Sequence, residues 1–217
     1  MADIFQEVDE EVRREKLKQF WDRYSLAIIA VCVLIVGAIG GWRGYEWYVA
    51  REAAKAGARF EAAISLMEQN KTKEAEAAFA DIAKTAPGGY PILARFREAN
   101  TLAATNKDAS VKAYDALAAD GGVPPAFQDL AAVRAGLLLV DTAPLSEMQR
   151  QLDPLAQSDR SFRHSARELL ALSAWRNNDV TAAKKYLDMI AGDAETPGGV
   201  RARADVLAAL IASTGRG

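Results

Sequence analysis

Ala75-Glu76-Ala77-Ala78-Phe79-Ala80-Asp81-Ile82-Ala83-Lys84-Thr85-Ala86-Pro87 is the stretch that decides how the rest of the chain reads. Ala75, Phe79 and Ile82 recur at steps of four and three, which puts them on one face of a helix. Pro87 follows five residues on and, with no N–H to offer, ends that helix. A small residue, a ring, an aliphatic residue and a proline in that order suit the second helix of a helix pair. The small residue admits the paired helix closely, and the ring fills the gap to the next pair. Ala182, Tyr186 and Met189 repeat the first three positions.

Working outward, the chain from about residue 57 alternates helical runs with short polar breaks. The breaks are Gln69-Asn70-Lys71, Ala86-Pro87-Gly88-Gly89, Asn106-Lys107-Asp108, Asp120-Gly121-Gly122-Val123-Pro124-Pro125, Asp141-Thr142-Ala143-Pro144, Gln157-Ser158-Asp159, Asn177-Asn178-Asp179 and Thr196-Pro197-Gly198-Gly199. Every second one reads as a tight turn inside a pair, and the others as Gly/Pro or polar turns between pairs. No stretch reads as strand. Ala94-Arg95, Ala166-Arg167 and Ala202-Arg203 lie 72 and then 36 residues apart, Tyr114 and Tyr186 lie 72 apart, and Phe79 and Tyr114 lie 35 apart. A two-helix unit of about 34–36 residues has the tetratricopeptide length. The first helices lack the Trp-x-x-Leu-Gly signature. The third pair, residues 125–157, keeps only its length, its apolar spacing (Leu137, Leu138, Leu139, Leu152, Leu155) and Pro154 near its end. The expected fold is all-α: an N-terminal single transmembrane helix, then a degenerate tetratricopeptide-like helical-hairpin superhelix of about four pairs with a final helix at 198–213. Stacking is the stable solution because one pair cannot bury its apolar face alone. A non-repeat helical bundle is the alternative.

The transmembrane expectation comes from Tyr24–Trp42, YSLAIIAVCVLIVGAIGGW, which carries no charge between Arg23 and Arg43. Its 19 residues make a helix of about 28 Å, against a hydrocarbon core of about 30 Å. Trp21 and Tyr24 flank one end, and Trp42, Tyr45, Trp47 and Tyr48 the other, where aromatic belts sit in lipid headgroups. A cleaved signal sequence has a shorter apolar run and a small-x-small site; here the run ends in bulky Trp42-Arg43-Gly44-Tyr45, so a retained anchor is expected. Arg13, Arg14, Lys16, Lys18 and Arg23 precede the anchor and Arg43, Arg51, Lys55 and Arg59 follow it, a small bias toward an N-terminus inside. Gly37, Gly41 and Gly44, with Gly40, give overlapping GxxxG spacings; these are either a helix-packing face or ordinary membrane-helix glycines. Upstream, Ile4, Phe5, Val8, Val12, Leu17, Phe20 and Trp21 recur at helical steps, so residues 3–23 read as an amphipathic helix, either a docking helix or a run-in to the anchor.

Charge and rare residues restrict the chemistry. Residues 25–217 carry 22 acids and 22 bases, which leaves no electrostatic footprint for nucleic acid. The single cysteine, Cys32, sits mid-anchor, so no intramolecular disulfide forms. With His164 the one histidine, a His-cluster metal site is excluded. There is no phosphate-binding loop, no CxxC and no GxSxG, and no catalytic, cofactor or metal residue is assigned. What a stack of helix pairs offers is a concave face for a polypeptide. By repeat position that face is expected to carry Phe60, Ile64, Met67, Arg95, Leu102, His164, Arg167 and Trp175. The competing reading keeps these residues inside the fold, with the arginines paired to acids such as Glu98 or Glu168.

The order of parts, DIFQEVDEEVRREKLKQFWDRY, then one anchor, then degenerate helix pairs, resembles the YfgM-type family over essentially the whole chain. Residues 90–99 (YPILARFREA) and 163–172 (RHSARELLAL) carry the resemblance best, and residues 139–143 (LVDTA) look similar to alphaproteobacterial members. The resemblance implies an ancillary subunit of the bacterial Sec translocon with an envelope chaperone role. Residues 1–23 would be a cytoplasmic helix, 24–42 the inner-membrane signal anchor, 43–56 a helical linker and 57–217 a periplasmic tetratricopeptide-like domain. The implied partners are translocon membrane subunits, a membrane-anchored prolyl-isomerase-like periplasmic chaperone and emerging secretory polypeptides. The rival functions are a scaffold of another envelope complex, for cell division or cytochrome assembly, and a regulator acting through the cytoplasmic helix. An enzyme is not expected.

Overall fold

A computed structural model describes the backbone of residues 3–214 and the side chains from Arg13 onward, apart from Lys16 and the three C-terminal residues. Ile4, Phe5, Val8 and Val12 of the expected N-terminal apolar stripe lie outside the described side chains. The elements are α1 (Asp3–Glu68), α2 (Thr72–Thr85), α3 (Tyr90–Thr105), α4 (Lys107–Ala118), α5 (Pro125–Leu139), α6 (Leu145–Leu152) running into a 3-10 turn (Asp153–Ala156), α7 (Arg163–Arg176), α8 (Val180–Ala191) and α9 (Gly198–Ser213). No strand occurs among the described residues. The chain divides into two compact units, Met1–Lys55 and Ala56–Gly217.

In the first unit α1 contains a segment long and apolar enough to cross a membrane, and none of that segment is buried within the chain. Leu26, Ile29, Val31, Val33, Leu34, Ile35, Val36 and Ile39 point outward all round the helix, and the rim aromatics Trp21, Tyr24, Trp42, Tyr45, Trp47 and Tyr48 are exposed as well. A helix that is apolar on every side has no face suited to water. The Arg51 guanidinium lies over the Trp47 ring, 5.3 Å from its centroid. Gly37, Gly40, Gly41 and Gly44 have open space where a Cβ would stand.

The second unit is built from helix pairs, and each of the eight breaks read in the sequence separates two helical segments. Local chemistry sets those breaks. The Asn106 side chain accepts from the Ala109 N–H at 3.1 Å and Asp179 accepts from the Ala182 N–H at 2.9 Å, so both are N-caps. Asn70 and Asn178 take left-handed φ of 59° and 62° at helix ends, and Gly88 takes 67° just after Pro87. The rings at the repeat position of the second helices are buried: Phe79 on α2 and Tyr186 on α8 are each 1 % exposed, and Tyr114 on α4 is 4 % exposed. Phe79 meets Phe60 edge-on with centroids 5.4 Å apart, and Phe60 in turn touches Tyr90 at 6.0 Å. The Tyr186 hydroxyl donates to Asp153 at 2.7 Å and accepts from Gln149 at 3.2 Å. Burial, then the Asp153 carboxylate, pushes its pKa up to about 12.

The repeat is less regular than the residue spacing suggests. Ala94 and Ala166 are fully buried, but Ala202 and Arg203 are exposed; α9 packs through Ala204, Leu207 and Ile211. In α8 the enclosed small residue is Ala183, one position after Ala182. The third pair has a shortened second helix, because α6 gives way to a 3-10 turn that carries Pro154 at its start. Leu152 and Leu155 are buried there, whereas Leu137 on α5 is exposed. Replacing Phe79 with alanine is expected to cost about 3–5 kcal/mol of unfolding free energy. Leu137→Ala should stay within about 0.5 kcal/mol of the native chain. Denaturant titration of the two variants checks both.

Candidate functional site

The stack leaves a cleft between its first helices that is not filled by its own side chains, with a volume of about 520 Å³. Its walls are α3 and α5. Leu93, Phe96, Arg97 and Asn100 stand at successive three- and four-residue steps of α3, and Phe127, Leu130 and Arg134 do the same on α5, so each helix turns one stripe toward the cleft. Tyr114 of α4 closes the floor, and Phe60 borders it. The Phe96 ring touches Tyr114 and Phe127 at centroid distances of 5.9 and 6.2 Å. Leu93 and Phe127 are 40 % and 38 % exposed. Burial holds the Tyr114 hydroxyl above its ordinary pKa, against the pull of the nearby Arg134 charge. The dimensions and the mixture of apolar walls with a few polar groups suit a ligand site.

The residues expected on a concave face are distributed differently. Phe60 borders the cleft, but most of its ring is committed to the core against Phe79 and Tyr90. Ile64 and Met67 pack on the same core cluster, and the Met67 sulfur accepts from the Thr101 hydroxyl at 3.9 Å. Leu102 is half-buried. Arg95 turns away from the cleft and donates to Asp120 at 2.6 Å. Trp175 packs against the C-terminal core. Arg167 is interior: its guanidinium donates to the Ala156 carbonyl at 2.8 Å, the Met189 carbonyl at 3.1 Å and Asp193 at 2.8 Å. Asp193 also accepts from Arg163 at 2.8 Å, Arg163 pairs in addition with Glu195, and His164 Nδ1 stands 3.3 Å from the Thr196 hydroxyl. Arg163, His164 and Arg167 therefore tie α7 to the end of α8 and the loop before α9. The arginines do pair within the fold, but with Asp120 and Asp193; Glu168 binds Arg203 instead, at 2.8 Å.

Seven cleft residues went unread as a site in the sequence: Leu93, Phe96, Arg97, Asn100, Phe127, Leu130 and Arg134. Their signal was the seven-residue spacing from Leu93 to Asn100 and from Phe127 to Arg134, two helical turns in each case. Among the described residues no group of three or more His, Cys, Asp or Glu is arranged to hold a metal ion.

A family model described as a tetratricopeptide repeat-like domain matches residues 18–170, which takes in every residue of the cleft. No curated protein and no solved structure matches the chain.

The Arg163–Asp193–Arg167 cluster gives the domain a pH dependence of known sign. Hydrogen bonds from Arg163 and then Arg167 hold the Asp193 carboxyl well below the usual carboxylate range. Its stabilisation is therefore complete above the unfolded value near 3.9 and is lost as pH falls toward the folded one. Burial, and then the Arg163 charge, lowers His164, so the folded state resists its protonation and acid acts in the same direction below about pH 6.5. Asp193→Asn is expected to melt lower than the native chain at pH 7, with the gap narrowing as pH drops below about 4. Thermal unfolding followed by circular dichroism across that range tests it.

Proposed function

Because the chain belongs to the tetratricopeptide repeat-like domain family, we propose that it binds other proteins through the α3/α5 cleft while held at a membrane by α1, and that it catalyses no reaction. The observation that carries this reading is the cleft itself, an unfilled groove with large apolar side chains left exposed on the first helices of adjacent pairs. Stacked helix pairs act by presenting such faces. The uncovered apolar segment of α1 supports attachment to a bilayer, where residues 24–42 span the membrane once.

The particular role follows from the resemblance to the YfgM-type family. Residues 1–23 stand in the bacterial cytoplasm, and residues 57–217 form a periplasmic domain reached through a helical linker at 43–56. The chain is an ancillary subunit of the Sec translocon. It serves as chaperone and adaptor for emerging secretory polypeptides, together with a membrane-anchored prolyl-isomerase-like chaperone. Gly37, Gly41 and Gly44 form the face of the anchor that meets a channel helix. Anchoring beside the channel exit raises the effective concentration of the cleft for a client, so weak contacts suffice.

Photocrosslinking in living cells tests the parts separately. Probes at Gly37 and Gly41 are expected to capture translocon subunits, and probes at Leu93 and Phe127 to capture emerging chains or the partner chaperone. Adducts from all four positions to a different envelope complex would remove the translocon assignment and leave a scaffold. A full-length chain in lipid nanodiscs that fails to slow aggregation of an unfolded secretory protein would remove the chaperone role.

A further inference from the structure

The cleft is chemically lopsided, and its two ends call for different groups. Leu93, Phe96 and Phe127 make one end apolar. Arg97 and Arg134, one from each wall, stand further along their helices beside Asn100 and Leu130, and no acidic side chain lines the cleft. Most arginines of the helical unit are satisfied internally: Arg59 by Asp81, Arg95 by Asp120, Arg160 by Asp129, Arg203 by Glu168, and Arg176 by loop carbonyls. Arg97 and Arg134 make no ion pair and no side-chain hydrogen bond among the described residues, and both are exposed. Two cations share a concave, partly apolar surface without a counter-charge. Such a surface focuses a positive potential and favours an incoming anion.

We propose that the α3/α5 cleft takes an acidic-aromatic segment of a partner protein, with a bulky apolar side chain against Leu93, Phe96 and Phe127 and an Asp or Glu carboxylate held by Arg97 and Arg134. This rests on the reading of the cleft as a protein-binding site and adds the chemistry of what it binds. Guanidinium groups suit the task because they hold carboxylates through paired N–H donors. The spacing also fits. Leu93 to Arg97 covers one helical turn of α3, about 6 Å, and Phe127 to Arg134 two turns of α5, about 10 Å. That separates the apolar and acidic side chains by about two to three residues in an extended segment at about 3.3 Å per residue. Unfolded clients selected this way would be those that combine an exposed ring with a nearby acid, a narrower set than apolar segments in general. The carboxylate also sets an on-rate that falls with salt, since the two arginines face solvent.

The test is fluorescence anisotropy with the full chain in nanodiscs of uncharged lipid. The probe is a short labelled peptide, blocked at both ends, carrying two phenylalanines followed three residues on by two glutamates. Its twin carries glutamines in place of the glutamates. The acidic peptide is expected to bind about tenfold tighter than the twin. The double variant Arg97→Gln, Arg134→Gln should bring it down to the twin's affinity and leave the twin unchanged, with the melting temperature preserved because neither arginine bonds within the fold. Phe127→Ser should weaken both peptides. Equal binding of the two peptides, or equal binding by the native chain and the double variant, overturns the proposal. Tighter binding of a neutral peptide with a free C-terminal carboxylate would also overturn it, since the acid would then be a chain end. If selectivity for the acidic peptide is absent while the full chain still slows aggregation of an unfolded protein, only the cleft chemistry fails. If the chain binds neither peptides nor unfolded protein, the protein-binding reading fails with it.

Discussion

A helix pair in this chain has an apolar stripe it cannot cover by itself, and the ring on its second helix is what covers it. Phe79 shows the arrangement most completely: it is buried against Phe60 of the preceding helix, and Phe60 in turn meets the Tyr90 ring at the start of the next pair. Tyr114 and Tyr186 hold the corresponding place on α4 and α8. Small residues at Ala94 and Ala166 let the helices come close enough for the rings to reach. Because the second helices bear this packing, the outward stripes of α3 and α5 are released from it. The cleft is a by-product of that division of labour.

The C-terminal part of the stack is held by a different device. Where the α8–α9 connection crosses the end of α7, backbone carbonyls and carboxylates replace apolar contact, and Asp193 is their centre. It receives Arg163 and Arg167, and its own second oxygen accepts the Glu195 N–H at 3.0 Å. Arg201 adds donors to the Ala191 and Asp193 carbonyls at 3.1 and 2.9 Å. A buried guanidinium such as Arg167 is tolerable only because its donors find partners; removing one of them would leave an unpaired charge inside the fold. The loop between α8 and α9 is thus tied to α7 and α9 by side-chain hydrogen bonds, although it contains no regular structure.

The fold was legible in the sequence to the extent that local chemistry decides it. Proline, glycine, asparagine and aspartate act on their own backbone, so every break could be placed before any contact was known. The buried rings were legible as well, through the 35- and 72-residue intervals that link Phe79, Tyr114 and Tyr186. The cleft was not, and α3 shows why. Arg95 and Arg97 are two residues apart, about 200° round the helix, so the same side chain serves opposite faces. Arg95 was favoured because Ala94-Arg95 matches Ala166-Arg167, yet that match marks the residues that brace the stack, Arg95 on Asp120 and Arg167 on Asp193. Which acid each arginine meets depends on the course of loops 119–124 and 192–197, and that course is set by the docking of the following helix. Nothing within a few residues of the arginine encodes it.

The unpaired state of Arg97 and Arg134 gains weight from the composition of the unit around them. Residues 25–217 carry acids and bases in equal number, so the two arginines are not left over from a shortage of carboxylates. Acids are close by in sequence. Glu98 adjoins Arg97 but points off the cleft face, and Asp129 sits between Phe127 and Leu130 yet turns inward to Arg160. The helical register that aims Phe127, Leu130 and Arg134 at the cleft is the same register that turns Asp129 away from it. Neutralising either arginine from within would need a carboxylate at a cleft-facing step of α3 or α5, and Asn100 occupies the nearest such step on α3. The positive, partly apolar character of the cleft is thus maintained by the placement of ordinary residues at helical intervals.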